Sequence, residues 1–284
     1  MADRLTIDTG NYRYYRFSPG NYCHFVLGNL LELYVFLTAE RLSLESTRLV
    51  LNNPSPRFLE GYEIFTRHGA EIGSTGKPDL VVPGLLDWRK GNESEALRHL
   101  NGFAEHVRHH FGTTATVRDT LTYILRPFNL KTRFLANENA VIAALRHEAA
   151  GLGLNLVAAD FGAMGFAEQV RLMGRTRLLV GLHGAGIVNS LFCAPGSAVI
   201  EIYPHPAFSH RKFELICTTR GITYHRLRQV KLSLPNASNA LKALVYPGHM
   251  QSNRYLRDRC VVADIGVLTA EVRRHAEGGR SAPG

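Results

Sequence analysis

Residues 179–189 read LVGLHGAGIVN: an apolar run ends in a glycine-rich turn and continues into a second apolar segment. This order is typical of a buried strand, a tight turn and the start of a helix. Unpaired N–H groups and the helix dipole favour an anion at such a start. The glycine spacing, G-x-x-G-x-G, is neither the dinucleotide fingerprint nor a Walker loop. The turn therefore predicts either a phosphate site or a connection whose glycines serve packing alone.

Strand-like and helix-like segments alternate around this stretch, from about residue 117 to residue 227. Alternation of this kind is typical of a parallel sheet with helices on both faces. Residues 1–112 show a less regular version of the pattern, and 265–277 read as a terminal helix. We therefore predict an α/β chain of two lobes, 1–112 and 113–284, with a ligand in the crevice between them.

The composition is that of a globular chain, with 45% hydrophobic and 20% charged residues, and excludes a disordered one. The net charge of +9 suggests a nucleic acid among the partners. Residues 202–262 carry ten basic and two acidic residues, so most of the excess is local. The sequence holds no recognised nucleic-acid motif, and we predict no such partner. Its four cysteines form no CxxC pair, so we predict no metal site.

Charged residues near the ends of predicted strands are candidates for the same crevice. Arg126 and Arg133 stand between a strand and a helix that begins near Asn137. A pair of arginines neutralises a diphosphate without metal, although solvated surface arginines are the alternative. Glu201 interrupts an apolar strand one step beyond the glycine turn. A carboxylate there often holds ribose hydroxyls, and an ion pair between strands is the alternative.

The N-terminus lacks the apolar core of a signal peptide. The apolar stretch 25–37 is interrupted by polar residues and is short for a bilayer. We therefore expect no membrane-spanning segment, and the compartment stays open: the missing signal favours the cytoplasm.

Several segments match one family pattern. Residues 181–204 combine an apolar strand, HGAG, a short helix, Pro-Gly and a glutamate between apolar residues. Residues 125–145 contain Arg, a second Arg and Asn-Glu, and residues 213–227 read as helix then strand. Residues 21–25, NYCHF, place a histidine between aromatic residues. Together these residues resemble glycosyltransferase family 61, strongly in the second half and loosely elsewhere.

The resemblance implies a GT-B-like fold of two facing Rossmann-type lobes with a C-terminal helix. The lobe 1–112 would face the acceptor, and the lobe 113–284 would bind the nucleotide sugar. The implied reaction is an inverting, metal-independent transfer of GlcNAc or xylose from a UDP-sugar to a hydroxyl of a glycan or protein. No cofactor is expected besides the donor, and relatives in the ER or Golgi lumen make that compartment the alternative. The expected donor-binding residues are Arg126, Arg133, Asn137, His183, Gly184, Ala185, Gly186, Asn189 and Glu201.

An inverting transfer needs a general base near the acceptor hydroxyl. The resemblance points to His24 as this base or as an acceptor contact, with Glu32 and Asp87 as rivals. Family members commonly carry an acid a few residues after this histidine, whereas here the first acid after His24 is Glu32. This departure leaves open a degenerate protein that binds a nucleotide or glycan without transferring sugar.

Overall fold

The structure is a computed structural model that describes residues 4–8, 21–39, 41, 48–52, 56–66, 69–72, 93–114, 117–128 and 132–278. They belong to two compact units. The first comprises Met1–Ala115 with Met164–Arg171, and the second Thr116–Ala163 with Leu172–Gly284.

The described strands are β1 Arg4–Asp8, β2 Arg48–Asn52, β3 Ala70–Ile72, β4 Thr120–Ile124, β5 Phe134–Leu135, β6 Asn155–Ala159, β7 Thr176–Leu182, β8 Ala198–Ile202, β9 Thr223–Leu227, β10 Val230–Pro235 and β11 Arg259–Ala263. The described α-helices are α1 Tyr22–His24, α2 Leu31–Ala39, α3 Glu93–His110, α4 Glu138–Leu152, α5 Phe166–Arg175, α6 Lys212–Thr219, α7 Ala237–Val245, α8 Asn253–Arg257 and α9 Ile265–Gly278. A π-helix spans Phe25–Leu30, and 3-10 helices span Pro56–Phe65, Ala185–Phe192 and Pro247–Gln251.

The second unit is built on a five-stranded parallel sheet with the order β6-β4-β7-β8-β9. Strands and helices alternate along it, as the sequence predicted. All seven residues of β7 except Arg177 are buried, as are all five of β8. Near-continuous apolar strands of this kind are expected where helices cover both faces of a sheet.

Successive side chains of these strands point to opposite faces of the sheet, and helices cover both faces. Leu178, Val180 and Ile200 pack with α4 and α9 on one face. Because side chains alternate along a strand, Leu179 and Glu201 point to the other face. The predicted α/β class with a mostly parallel sheet is confirmed.

A smaller sheet in the second unit was not predicted. It has the order β10-β11-β5, with β10 antiparallel to β11 and β11 parallel to β5. Its strand β11 follows a segment that gave no clear pattern in the sequence. This sheet matters for function because it places the end of α8 beside the loop after β4.

The first unit contains a three-stranded parallel sheet, β1-β2-β3, and an aromatic cluster. Phe25 stacks on Phe58 with ring centroids 4.6 Å apart, and Phe166 of α5 meets Phe25 edge-on at 5.8 Å. By length and composition one described helical stretch, Tyr22–Ala39, could cross a membrane, and half of it is buried within the protein.

Candidate functional site

Two predicted loops meet at the carboxyl edge of the five-stranded sheet. β4 and β7 are neighbours there, while the next strands, β6 and β8, lie on opposite sides of this pair. Such a switch point opens a crevice outside the carboxyl ends of the strands, where doubly wound sheets bind ligands. Arg126 lies two residues after β4, and His183 follows β7 directly. The structure therefore brings these two predicted segments together.

Gly184 is the point at which both predicted arginines approach the turn. A Cβ atom on Gly184 would lie 3.3 Å from Nη2 of Arg133 and would overlap Nη1 of Arg126. The Gly184 backbone is extended, with φ 171° and ψ 173°, so other residues could adopt its conformation. Glycine is therefore required here for the close approach of the guanidinium groups.

Arg133 is buried and ties the turn to a distant part of the chain. Its Nε donates to the carbonyl oxygen of His183, and its Nη1 donates to Oδ1 of Asp258 at 2.9 Å. Arg257 donates to both carboxylate oxygens of the same Asp258, at 2.9 and 2.6 Å. Burial, together with the charges of Arg126 and Arg257, lowers the pKa of Arg133 to about 9. Arg133 is therefore a positioning residue for the turn.

The electrostatic balance around Asp258 favours an anion. Burial acts to raise the pKa of Asp258, but the hydrogen bonds and charges of Arg257 and Arg133 outweigh it, and the pKa is lowered. Burial also lowers the pKa of Arg126, where the charge of Asp258 opposes and that of Arg257 adds to the effect. Three guanidinium groups thus act on one another, and the carboxylates of Asp258 and Glu138 oppose this repulsion. A phosphate placed among them would relieve this repulsion.

His183 is held by a buried chain of hydrogen bonds. Its Nδ1 lies 2.5 Å from Oε1 of Glu201, and the Tyr224 hydroxyl donates to Oε2. Burial, followed by the charge of Arg133, keeps the pKa of His183 well below its usual range, so the ring is neutral. Burial raises the pKa of Glu201 to about 7 against the effect of the Tyr224 bond. With Glu201 ionised, His183 donates from Nδ1 and accepts at Nε2, whereas a protonated Glu201 leaves the proton on Nε2.

The contact of Glu201 with ribose stays a prediction, and the structure shows other partners for its carboxylate. The residue has 0% exposure, and His183 and Tyr224 use both of its carboxylate oxygens. Glu201 therefore acts on His183, whose tautomer and orientation it sets.

A cavity of about 440 Å³ opens beside Arg126. Its lining residues are Arg126, Phe128, Phe134, Leu135, Ala136, Asn137, Glu138, Asn139 and Ala140. The wall thus includes the first turn of α4, whose N–H groups and dipole favour an anion. The backbone N–H of Arg126 donates to Glu138 at 2.9 Å, and its Nε donates to the Arg133 carbonyl at 3.1 Å. Arg126 is therefore held between the glycine turn and the cavity.

The remaining predicted donor-binding residues have mainly structural contacts. Asn137 uses both ends of its amide on the backbone of Ala263, at 3.0 Å each. Asn189 is fully buried in the 3-10 helix after the turn. A Cβ on Gly186 would meet Phe161 at 3.1 Å, so this glycine serves packing, and Ala185 is half-buried beside it. Direct ligand contact by Asn189 stays a prediction.

The predicted base belongs to the first unit. His24 is half-buried in the helical turn capped by Asn21, whose side chain accepts from the N–H groups of Cys23 and His24. Glu32 is only 1% exposed, which does not suit a contact with an acceptor. Asp87 lies outside the described residues. The role of His24 stays a prediction.

Three residues of the site were missed in the sequence. Asp258 and Arg257 join the site from 125 and 124 positions beyond Arg133, in a segment without clear periodicity. No local signal could have found them. Tyr224 did carry a signal, because it is a polar-tipped aromatic in the strand next to that of Glu201.

Comparison with known proteins gives a family for this part of the chain. The sequence model of the family Glycosyltransferase 61 matches residues 88–200, which include the glycine turn, both arginines and most of β8. Over residues 88–200 the chain is therefore similar to glycosyltransferase family 61. The family resemblance predicted from the sequence is confirmed.

Curated proteins with family 61 activities in their names are similar to shorter segments. The Arabidopsis thaliana β-1,2-xylosyltransferase is 33% identical over 100 residues, 33% of this chain and 18% of that protein. The protein O-linked-mannose β-1,4-N-acetylglucosaminyltransferase 2 of Bos taurus is 34% identical over 83 residues, 29% and 14% of the two chains. The EGF domain-specific O-linked N-acetylglucosamine transferase of Canis lupus familiaris is 29% identical over 137 residues, 47% and 25%. The matches span at most about a quarter of these relatives.

Among solved structures, a glycosyl transferase family 9 protein from Veillonella parvula aligns over 98% of this chain and 97% of its own. The sequence identity is 11% and the TM-score is 0.43.

Proposed function

We propose that this chain is a glycosyltransferase that binds the diphosphate of a nucleotide sugar where the ends of β4 and β7 meet. The observation that carries the proposal is the group of three guanidinium groups, Arg126, Arg133 and Arg257, for which the nearby carboxylates are those of Asp258 and Glu138. Such a cluster carries an excess of positive charge that favours an additional anion, and the similarity of residues 88–200 to family 61 supports a sugar nucleotide as that anion.

Arg126 is the group that contacts phosphate in this proposal. It lines the cavity, and its guanidinium reaches the glycine turn. The N-terminus of α4 supplies partial positive charge to the same cavity. Phe128 and Phe134 provide an aromatic wall, with ring centroids 4.8 Å apart, against which a nucleobase can pack. The donor therefore lies with its diphosphate at Arg126 and its base towards the phenylalanines.

The positive charge at this site suits a sugar transfer in which a nucleoside diphosphate leaves. An acceptor hydroxyl attacks the anomeric carbon, a new C–O bond forms with inversion, and the bond to the diphosphate breaks. The guanidinium groups and the start of α4 stabilise the negative charge that develops on the leaving group, in the place of a metal ion. A general base takes the hydroxyl proton, and His24 is our candidate. We propose a GT-B-like fold for this reaction, with the first unit on the acceptor side.

The names of the relatives suggest the sugar and the acceptor. One relative is a xylosyltransferase, and two transfer N-acetylglucosamine to O-linked mannose or to EGF domains. We therefore propose UDP-xylose or UDP-GlcNAc as the donor and a glycan or glycoprotein hydroxyl as the acceptor.

The direct test is calorimetric titration of UDP into the Arg126→Ala variant. We expect binding to weaken at least tenfold, because a charge-assisted hydrogen bond contributes about 1.5–3 kcal/mol. Arg146→Ala, an exposed change on α4, is the matched control and should bind as the wild type does. Unchanged affinity in Arg126→Ala would remove the phosphate assignment. Sugar transfer should also survive EDTA, and strict dependence on Mg²⁺ would contradict the role given to arginine.

A second candidate function is binding of a nucleotide or glycan without transfer. The burial of Glu32, the first acid after His24, favours it because this carboxylate does not face a substrate. Incubation with labelled UDP-sugars and a panel of glycan acceptors separates the two functions. A transferase yields labelled product, whereas a binding protein shows affinity alone.

A further inference from the structure

We infer that His225, Glu271 and His275 form a binding site for a Zn²⁺-class transition-metal ion, separate from the proposed donor site. One ligand atom from each of the three residues lies within 4.8 Å of the other two. Two imidazoles and a carboxylate are a common donor set for zinc, with water in the fourth position. This inference departs from the expectation of a chain without a metal site, which rested on the cysteine pattern.

The distances within the cluster fit a shared ion better than direct hydrogen bonds. Oε2 of Glu271 lies 3.6 Å from Nε2 of His225 and 3.5 Å from Nε2 of His275. Hydrogen bonds of this kind are normally about 2.7–3.2 Å long. Donor atoms about 2.0–2.1 Å from a tetrahedral zinc ion are about 3.3–3.4 Å apart. The two distances from the carboxylate to the imidazoles are therefore already close to those around a bound ion.

His275 supplies a second, independent observation. Its Nε2 is buried and has no hydrogen-bond partner among the residues that the structure describes. A buried polar atom without a partner costs free energy, and a metal ion would use its lone pair. The side chains of the cluster remain 15–23% exposed, so an ion can enter from solvent.

The cluster sits where an ion would join two elements of the second unit. Glu271 and His275 are four positions apart on α9, a spacing that places both on one side of the helix. His225 lies on the edge strand β9, in register with Ile200 of β8 and hence on the face that α9 covers. Tyr224 and Glu201 point to the opposite face, so the metal site and the His183 site are separated by the sheet.

Arg274 would compete with a metal ion for Oε2 of Glu271. Its Nη2 donates to Oε2 of Glu271 and lies 3.4 Å from Nδ1 of His225. The side chain is 61% exposed, so it can turn away into solvent when an ion enters. Removing this guanidinium would free the carboxylate and would also allow His225 to carry its proton on Nδ1, the tautomer that metal binding at Nε2 requires.

The test is calorimetric titration of Zn²⁺ into the untagged, EDTA-treated protein. We expect one equivalent to bind, and the Tm to rise by about 5–10 °C at a hundredfold excess of zinc over the dissociation constant. Glu271→Gln and His275→Gln should each weaken binding at least tenfold, whereas the exposed His147→Gln on α4 is the matched control and should bind normally. Equal affinity in all three variants, or no binding by the wild type, would overturn the inference.

Arg274→Ala keeps the inference falsifiable if the ligand variants do not fold. This exposed substitution leaves all three ligands in place and should tighten zinc binding at least threefold. Unchanged or weaker binding would show that the ion does not use Oε2 of Glu271. Because neither measurement involves UDP or sugar transfer, failure here and failure of the proposed glycosyltransferase function are distinguishable.

Discussion

The close approach at Gly184 makes Gly184→Ala the most informative single substitution in the site. The added methyl group would overlap Nη1 of Arg126 and lie 3.3 Å from Nη2 of Arg133. Because the backbone is already extended, alanine needs no change of φ or ψ. The substitution therefore acts by displacing the guanidinium of Arg126.

Two magnitudes follow from this geometry. The overlapping atom is the end of a flexible side chain, so the free energy of unfolding should change by no more than about 1 kcal/mol. Loss of a charge-assisted contact with phosphate costs about 1.5–3 kcal/mol, which corresponds to UDP binding about 10- to 150-fold weaker. A small effect on stability should accompany a large effect on binding.

Calorimetry with UDP and thermal unfolding of the same samples measure both quantities. Gly151→Ala, in α4, is the matched control because a Cβ there meets nothing within 4 Å. It should bind UDP normally and unfold at an equal or higher temperature, since alanine favours helix over glycine by up to about 1 kcal/mol. UDP affinity in Gly184→Ala within twofold of the wild type, together with a large loss in Arg126→Ala, would refute the steric reasoning.

Three further substitutions test other parts of the second unit. Arg133→Met should lower the free energy of unfolding by about 1–3 kcal/mol, because Asp258 loses one of its buried partners; an unchanged denaturant midpoint would contradict this. Burial raises the pKa of Glu201 from 4.5 to about 7, so the folded protein holds this proton more tightly than the unfolded chain, and the contribution to stability falls as pH rises through that interval. The unfolding free energy of the wild type minus that of Glu201→Gln should therefore decrease between pH 4.5 and 7, and an increase in chemical denaturation series would count against it. Leu178→Ala, in the centre of the sheet, should lower the free energy of unfolding by about 2–5 kcal/mol in the same assay. A decrease below about 1 kcal/mol would mean that the core around Leu178 is less tightly packed than described.

The elements of the parallel sheet could be predicted because their signals are local. Short apolar runs such as those of β7 and β8 alternate with helical patterns, and the glycine turn fixes the boundary between strand and helix. The same local reasoning selected Arg126 and His183 as candidates, because Arg126 lies two residues after β4 and His183 directly follows β7. Residues at strand ends are predictable wherever the topology brings the ends together.

The partners that give these residues their properties could not be predicted in the same way. Asp258 contacts Arg133 across 125 positions of the chain, and the short strand β5 pairs with β11 without any periodicity of its own. The polarity of Glu201 suggested contact with a ligand, whereas pairing of β8 with β9 brings Tyr224 to it and directs it inward. Such contacts depend on tertiary pairing and not on local propensity.

The long sequence separation between Arg133 and its partners determines the order in which these contacts can form during synthesis. His183 lies 50 positions after Arg133, and Asp258 lies 125 positions after it. A chain emerging from the ribosome at about 5–20 residues per second exposes Arg133 for several seconds before Asp258 is synthesised. During that interval the five-stranded sheet can form, but Arg126 and Arg133 lack the carboxylate of Asp258, which follows α8. Charge balance at the site is thus one of the last features that biosynthesis supplies.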